Sequence, residues 1–228
     1  MFDGKFRTPV DKAVKPVGNA LRRTGLTPDH LTVLGLLVGI GAAVAIGAGE
    51  LRWGLVLVIL AALPDLLDGA LAKASDAASQ RGAFFDSTVD RVTDAFLLGG
   101  IAWYFASEES PHMAILPFAV MAVSSIISYQ RAKAESLGIE AKGGLMERAE
   151  RIIAICLGLL FPVLLIPILW VMLALTTLTA IQRFVKVWTQ AAVAPVTAAR
   201  IEMRRSRRQS RRVARTERRR TRVPRRPT

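Results

Sequence analysis

The run "LTVLGLLVGIGAAVAIGAG", residues 31–49, holds 19 residues without a charge. That is close to the roughly 20 apolar residues an α-helix needs to cross the hydrocarbon core of a bilayer. Backbone polar groups find no water there, so a run of this kind folds as a helix or inside a closed barrel, and its continuous apolarity favours the helix. Residues 53–72, 84–106 and 112–130 are a second, third and fourth candidate span. The uncharged run 152–182 is too long for one crossing. Pro162 and Pro167 fall near its middle, and a turn between them divides it into a fifth and a sixth helix. The expected fold class is all-α, a polytopic membrane protein with six transmembrane helices.

The bases in the connections set the expected orientation. Lys5, Arg7, Lys12, Lys15, Arg22 and Arg23 precede the first span, whereas the turn at 49–52 has only Arg52. Lys73 and Arg81 lie in the turn at 73–83; the turn at 107–111 has Glu108 and Glu109 and no base. The loop at 131–151 has Arg131, Lys133, Lys142, Arg148 and Arg151, and the turn at 162–167 has none. This alternation follows the positive-inside rule with both termini cytoplasmic, in a multi-pass protein of the cell membrane. The N-terminus lacks an apolar signal-peptide core, so the first span is expected to direct insertion. Val10, Val14, Val17 and Leu21 can share one face over residues 9–24, which predicts an interfacial amphipathic helix. In "LTPDHLT", Thr27 reads as an N-cap and Pro28 as the first helical residue.

The formal net charge of +13 is concentrated at one end. Residues 200–228 hold 14 Arg and 2 Glu, which leaves 17 basic and 16 acidic side chains in residues 1–199. Three regions follow: a cytoplasmic N-terminus over 1–26, a transmembrane catalytic domain over 27–190, and a basic, disordered cytoplasmic tail over 191–228. The tail has no aromatic residue for base stacking, so anionic lipid headgroups are the expected partner and nucleic acid is not. The single cysteine, Cys156, sits in an apolar run and can form no disulfide within the chain.

The stretch 63–96 then carries five aspartates, Asp65, Asp68, Asp86, Asp90 and Asp94. Asp65 and Asp68 are three apart on a helix and Asp86 and Asp90 four apart, so each pair shares a face. A short connection makes their helices antiparallel neighbours, with both pairs at the cytoplasmic end. Four converging carboxylates repel unless cations lie between them. Hard divalent ions, Mg²⁺ or Mn²⁺, suit an all-oxygen site. Two such ions roughly 3.5–4 Å apart could clamp a pyrophosphate. Gly69 and Gly82 beside the acids suit close approach of a ligand or another helix. Solvated helix ends account for one such aspartate far better than for four at helical spacing on two helices. A transporter with a carboxylate ion relay is the competing reading. On the same membrane side, Arg131, Lys133, Arg148 and Arg151 could bind a phosphorylated acceptor, because arginine reads phosphate with two parallel hydrogen bonds.

"DLLDGALAK" followed by "GAFFDSTVD" resembles the signature of the CDP-alcohol phosphotransferases, D-x2-D-G-x2-A-R-x8-G-x3-D-x3-D. The matching residues are Asp65, Asp68, Gly69, Ala72, Lys73, Gly82, Asp86 and Asp90. One position departs: the family has arginine where this chain has Lys73, which keeps the charge but loses the bidentate fork. The resemblance implies transfer of a phosphatidyl group from CDP-diacylglycerol to an alcohol with release of CMP. It implies that Asp65, Asp68, Asp86 and Asp90 bind two Mg²⁺ or Mn²⁺ ions and that Asp90 is also the general base. It further implies that Gly69, Lys73 and Ser79, with Thr27, Pro28, Asp29 and His30, bind CDP-diacylglycerol. The loop "SYQRAKAESLGIEAKGGLMERAER", residues 128–151, is similar to its counterpart in actinobacterial phosphatidylinositol phosphate synthases. That likeness implies inositol 1-phosphate as acceptor, held by Arg131, Lys133, Arg148 and Arg151. Glycerol 3-phosphate, the acceptor of a phosphatidylglycerophosphate synthase, is the alternative. The family is often dimeric, so a homodimer is a further expectation.

Overall fold

The computed structural model describes residues 27–74, 79–107, 111–141, 143–192 and 203, without the side chains of Pro28 and residues 64–74. Among these residues the chain forms α1 (Pro28–Gly47), α2 (Leu51–Ala74), α3 (Gln80–Ser107), α4 (Ile115–Ser136), α5 (Arg148–Leu160) and α6 (Leu165–Ala191). Short 3-10 turns occupy Pro111–Ala114 and Pro162–Leu164, and there is no strand among the described residues. Backbone contacts group the chain into two units, Met1–Phe184 and Val185–Thr228. In the second unit, Thr189 Oγ1 donates to the Val185 carbonyl at 2.9 Å within α6. The packing described below belongs to the first unit. The expected interfacial helix over 9–24 and the basic tail, Met203 excepted, lie outside the described residues.

Three segments are long and apolar enough to cross a membrane: Asp29–Gly47, Pro111–Ser136 and Pro162–Ala191. The chain is thus an all-helical membrane protein. The apolar part of α2, Leu51–Leu63, is shorter. The first half of α3 carries Arg81, Asp86, Asp90, Arg91 and Asp94, and α5 has only 13 residues. The long apolar run breaks after Leu160, and Pro162 opens the 3-10 turn that follows. A proline has no N–H to give an α-helix interior but fits the first turn of a new one.

α1 packs against both α2 and α3, so the two acid-bearing helices are joined through it. Its seam with α3 is built from small residues. Gly39, Ala43 and Gly47 recur every four residues along α1 and meet Thr93, Gly100 and Trp103 of α3. A methyl group on Gly100 would collide with the backbone of Ala43, and one on Gly47 with the Trp103 ring. Small residues at such spacing let helix backbones approach closely, which supplies the packing that apolar side chains cannot drive in lipid. Gly100→Ala therefore forces the helices apart and costs about 1–3 kcal/mol. Gly99→Ala is its control, because nothing lies within 4 Å of the added carbon. Thermal unfolding in detergent should separate the two, with Gly99→Ala at or above wild type and Gly100→Ala clearly below it.

The core below this seam gathers Ile46, Val58, Leu97, Ile101, Val120, Leu159 and Leu169, each nearly or fully buried. α4 ends at Leu137, and Gly138 takes φ 72°, the left-handed conformation glycine adopts without a Cβ penalty. The chain then turns into a loop that leads to α5.

Candidate active site

Helix caps start the site. Thr27, extended at φ −95° and ψ 156°, is the N-cap of α1, with Pro28 in the first turn. The Thr27 backbone N–H donates to His30 Nδ1 at 3.3 Å, and Thr27 Oγ1 lies 3.1 Å from the same nitrogen. Ser79 precedes α3, and its Oγ accepts the Gly82 N–H at 3.0 Å. A Cβ built on Gly82 would stand 3.9 Å from Asp29 Oδ1. The "TPDH" segment therefore meets the start of α3 at the signature glycine. Gly82 has room for little else, with Ser79 Oγ 3.2 Å from the same position.

Asp86, Asp90 and Asp94 follow at four-residue intervals on α3 and share a face. All three are half-buried, and the Asp86 Oδ1 oxygen is fully buried. Arg148 spans the last two: its Nη1 lies 3.0 Å from Asp90 Oδ1 and its Nε 3.4 Å from Asp94 Oδ1. Arg151 Nη2 donates to Asp94 Oδ2 at 2.6 Å. Arg91 Nη1 stands 3.5 Å from Asp90 Oδ2 and donates to the Ser87 carbonyl at 2.7 Å. A crevice beside Asp90 brings together Thr32 and Gly35 of α1, Ala61 of α2, Thr93 of α3 and Arg148 of α5. Asp65 follows Ala61 by one turn along the α2 backbone. Asp65, Asp68, Gly69 and Lys73 all lie on α2, and their side chains are outside the described ones.

The residues present fit a divalent cation by their donor chemistry. The described ligands are carboxylate oxygens alone, which suit hard ions. Arg148 and Arg151 offset part of the charge of Asp90 and Asp94, so a cation held by Asp90 would compete with its Arg148 contact. Among the described residues no three acidic, histidine or cysteine side chains form a metal-holding group. Two of the four predicted ligands, Asp65 and Asp68, fall outside that set.

The four predicted acceptor bases divide. Arg148 and Arg151 converge on Asp94 at the start of α5. Arg131 instead pairs with Glu135 one turn along α4, at 3.0 Å, and Lys133 is exposed. An exposed pair of this spacing adds little stability. The start of α5 is fixed from two directions. Glu147 is its N-cap, and the Glu147 N–H donates to Glu150 Oε2 at 3.2 Å. Thr179 Oγ1 on α6 accepts the Leu145 and Met146 N–H groups at 3.3 and 3.2 Å.

Two residues here had no assignment from the sequence. Asp94 was visible in its spacing, four after Asp90, but lies beyond the signature. Arg183 is 4% exposed on α6 and donates to the Ile127 carbonyl at 3.0 Å and the Gly143 carbonyl at 3.1 Å. It also lies 3.7 Å from Glu147 Oε1. It ties the loop before α5 to α4 and α6. Its signal was a base at the end of a long apolar run, where an ionisable residue is costly and so has a purpose.

A half-buried acid stripe faced by guanidiniums at the polar end of a helical membrane protein suits chemistry on phosphates. The model of the CDP-alcohol phosphatidyltransferase family matches residues 25–202, and the chain belongs to that family. Membership separates it from carboxylate-relay transporters. The phosphatidylinositol phosphate synthase of Mycobacteroides abscessus is 39% identical over 152 residues, covering 66% of this chain and 69% of that one. The crystal structure of Mycobacterium tuberculosis phosphatidylinositol phosphate synthase with CDP-DAG bound superposes with a TM-score of 0.73 at 32% identity. It covers 78% of this chain and 94% of that chain. The same enzyme in complex with manganese and citrate also gives a TM-score of 0.73, at 32% identity, over 77% of this chain and 89% of that one.

Proposed function

We propose that this chain transfers a phosphatidyl group from CDP-diacylglycerol to inositol 1-phosphate, forming phosphatidylinositol phosphate and releasing CMP. The observation that carries this reading is the contact of Arg148 with Asp90, the last carboxylate of the signature, beside Arg151. Guanidiniums bind phosphate dianions in bidentate fashion, and here they stand next to the acid assigned to the acceptor hydroxyl. The similarity to enzymes named phosphatidylinositol phosphate synthase supports the same acceptor.

Asp90 takes the proton from the acceptor hydroxyl as its oxygen bonds to the lipid-side phosphorus. The bond from that phosphorus to the bridging oxygen breaks, and its electron pair leaves with CMP. Arg148 and Arg151 hold the acceptor phosphate so that the hydroxyl meets Asp90, while exposed Arg131 and Lys133 add positive charge to its approach. Thr27, Pro28, Asp29, His30, Gly69, Lys73 and Ser79 bind the nucleotide diphosphate, with the Ser79 O–H able to donate to it while its oxygen accepts the Gly82 N–H. Asp65, Asp68, Asp86 and Asp90 would hold two Mg²⁺ or Mn²⁺ ions. Such ions, when bound, neutralise the diphosphate and the charge that develops on the departing oxygen.

The alternation of Lys and Arg along the chain supports six membrane helices with both termini cytoplasmic. Residues 1–26 form a cytoplasmic N-terminus with an interfacial helix over 9–24, residues 27–190 form the catalytic domain, and the basic tail over 191–228 contacts anionic headgroups. A homodimer is consistent with this arrangement. The test is CMP release by the purified protein from CDP-diacylglycerol, offered with a panel of alcohols and an Mg²⁺ or Mn²⁺ titration. Inositol 1-phosphate should be consumed at least about tenfold more efficiently than glycerol 3-phosphate, which corresponds to roughly 1.4 kcal/mol of discrimination. A protein that uses glycerol 3-phosphate and ignores inositol 1-phosphate would refute the choice of acceptor.

A further inference from the structure

A second crevice lies between α3 and α4, lined by Arg91, Asp94 and Leu98 on one side and Met121, Ser124 and Ser128 on the other. It is narrow, with room for one water or one hydroxyl group. Ser124 is 5% exposed, and its Oγ is buried with no hydrogen-bond partner among the described residues.

Among the described residues, Ser124 is the one buried side-chain hydroxyl without a hydrogen-bond partner. Several described helical serines and threonines donate to a carbonyl one turn back. Ser125 donates to Met121 at 2.9 Å, Thr93 to Val89 at 3.0 Å and Thr176 to Met172 at 2.7 Å. An acceptor of that kind is within reach of any helical serine. Ser124 is turned instead into the crevice. A buried polar group left without a partner costs stability, and one retained by a protein calls for a ligand or a water to complete it.

The position says which. Asp94 lines the crevice and also anchors Arg148 and Arg151, the pair assigned to the acceptor phosphate. Asp94 lies one helical turn beyond Asp90, roughly 5–6 Å further along α3. A polyol whose phosphate sits on those arginines and whose reacting hydroxyl meets Asp90 has further hydroxyls to place on this side. We propose that Ser124 binds one non-reacting hydroxyl of the acceptor polyol and so helps to select a polyhydroxylated ring over a shorter alcohol. The proposal rests on the reading of the acceptor given above.

Full-length protein in detergent tests it with Ser124→Ala. The variant should raise KM for inositol 1-phosphate about tenfold, the worth of one well-made hydrogen bond, and leave KM for CDP-diacylglycerol unchanged. Its thermal midpoint without acceptor should equal or exceed that of wild type, because the substitution removes an unsatisfied group. A purely structural role predicts the opposite pattern. Analogues of inositol 1-phosphate, each lacking one ring hydroxyl, supply the second measurement. Wild type should discriminate against one of them, and Ser124→Ala should not. A lower thermal midpoint with both KM values unchanged would mean that the hydroxyl serves a structural water, and overturns the proposal. Equal discrimination against every analogue by both proteins overturns it too. A wild type that does not turn over inositol 1-phosphate removes the reading of the acceptor and this proposal with it. Loss at Ser124 alone, in a wild type that does turn it over, leaves that reading standing.

Discussion

Asp90→Asn should lower CMP release by at least about 10³-fold. Loss of a positioned general base alone costs about 10²–10⁴ in rate. The same substitution also replaces one of four carboxylates proposed to hold the metal ions. The fold should survive it. Asparagine is nearly the same size, and Arg148 keeps its contact with Asp94 at 3.4 Å. The measurement is turnover of CDP-diacylglycerol with inositol 1-phosphate at saturating Mg²⁺ or Mn²⁺, alongside a thermal midpoint in detergent. A variant within tenfold of wild-type turnover would end the assignment of Asp90 as base. A variant that fails to fold would show instead that Asp90 balances Arg148, so the thermal midpoint decides how the rate is read.

The second large effect lies one turn further along α3. Asp94→Leu should destabilise the protein by about 3–5 kcal/mol, because it leaves two guanidiniums without their shared carboxylate in a partly dry site. Arg151 is the more exposed to this loss, since its side chain is only 7% accessible and its contact with Asp94 is the shorter one. The double variant Asp94→Leu, Arg151→Leu should recover most of the stability. Replacing both members of a buried pair by apolar groups of similar volume is often neutral, whereas removing one is not. Turnover should stay low in the double variant, because the acceptor phosphate has then lost Arg151. Thermal unfolding of the two single variants and the double gives the coupling directly. Additive losses would show that the pair does not act as a unit.

Different parts of this molecule were legible in the sequence to different degrees. Helix positions followed from long uncharged runs and from Pro162, because lipid-facing segments leave the backbone few alternatives. The acid stripe was legible because four-residue spacing on a helix is a geometric statement. What could not be read was partnership. The i,i+4 pairing of Arg131 with Glu135 follows from local spacing, but nothing in that spacing says that Arg148 and Arg151 meet Asp94 across more than 50 residues of chain. Long-range ion pairs depend on how helices pack, and packing here is set by Gly39, Ala43 and Gly47. Those small residues lie inside the first apolar run, where local sequence does not say which helix they will face. Arg183 escaped for a related reason. A lone base at the edge of a span reads as topology until the carbonyls of Ile127 and Gly143 are seen around it.

The contact of Gly100 with the Ala43 backbone has a mechanical consequence. With no side chain on Gly100, α1 and α3 come to backbone contact at that point, and spreading them there would cost the packing. These helices carry "TPDH" and the acid stripe, so the same contact fixes the register of the start of α1 against Asp86, Asp90 and Asp94.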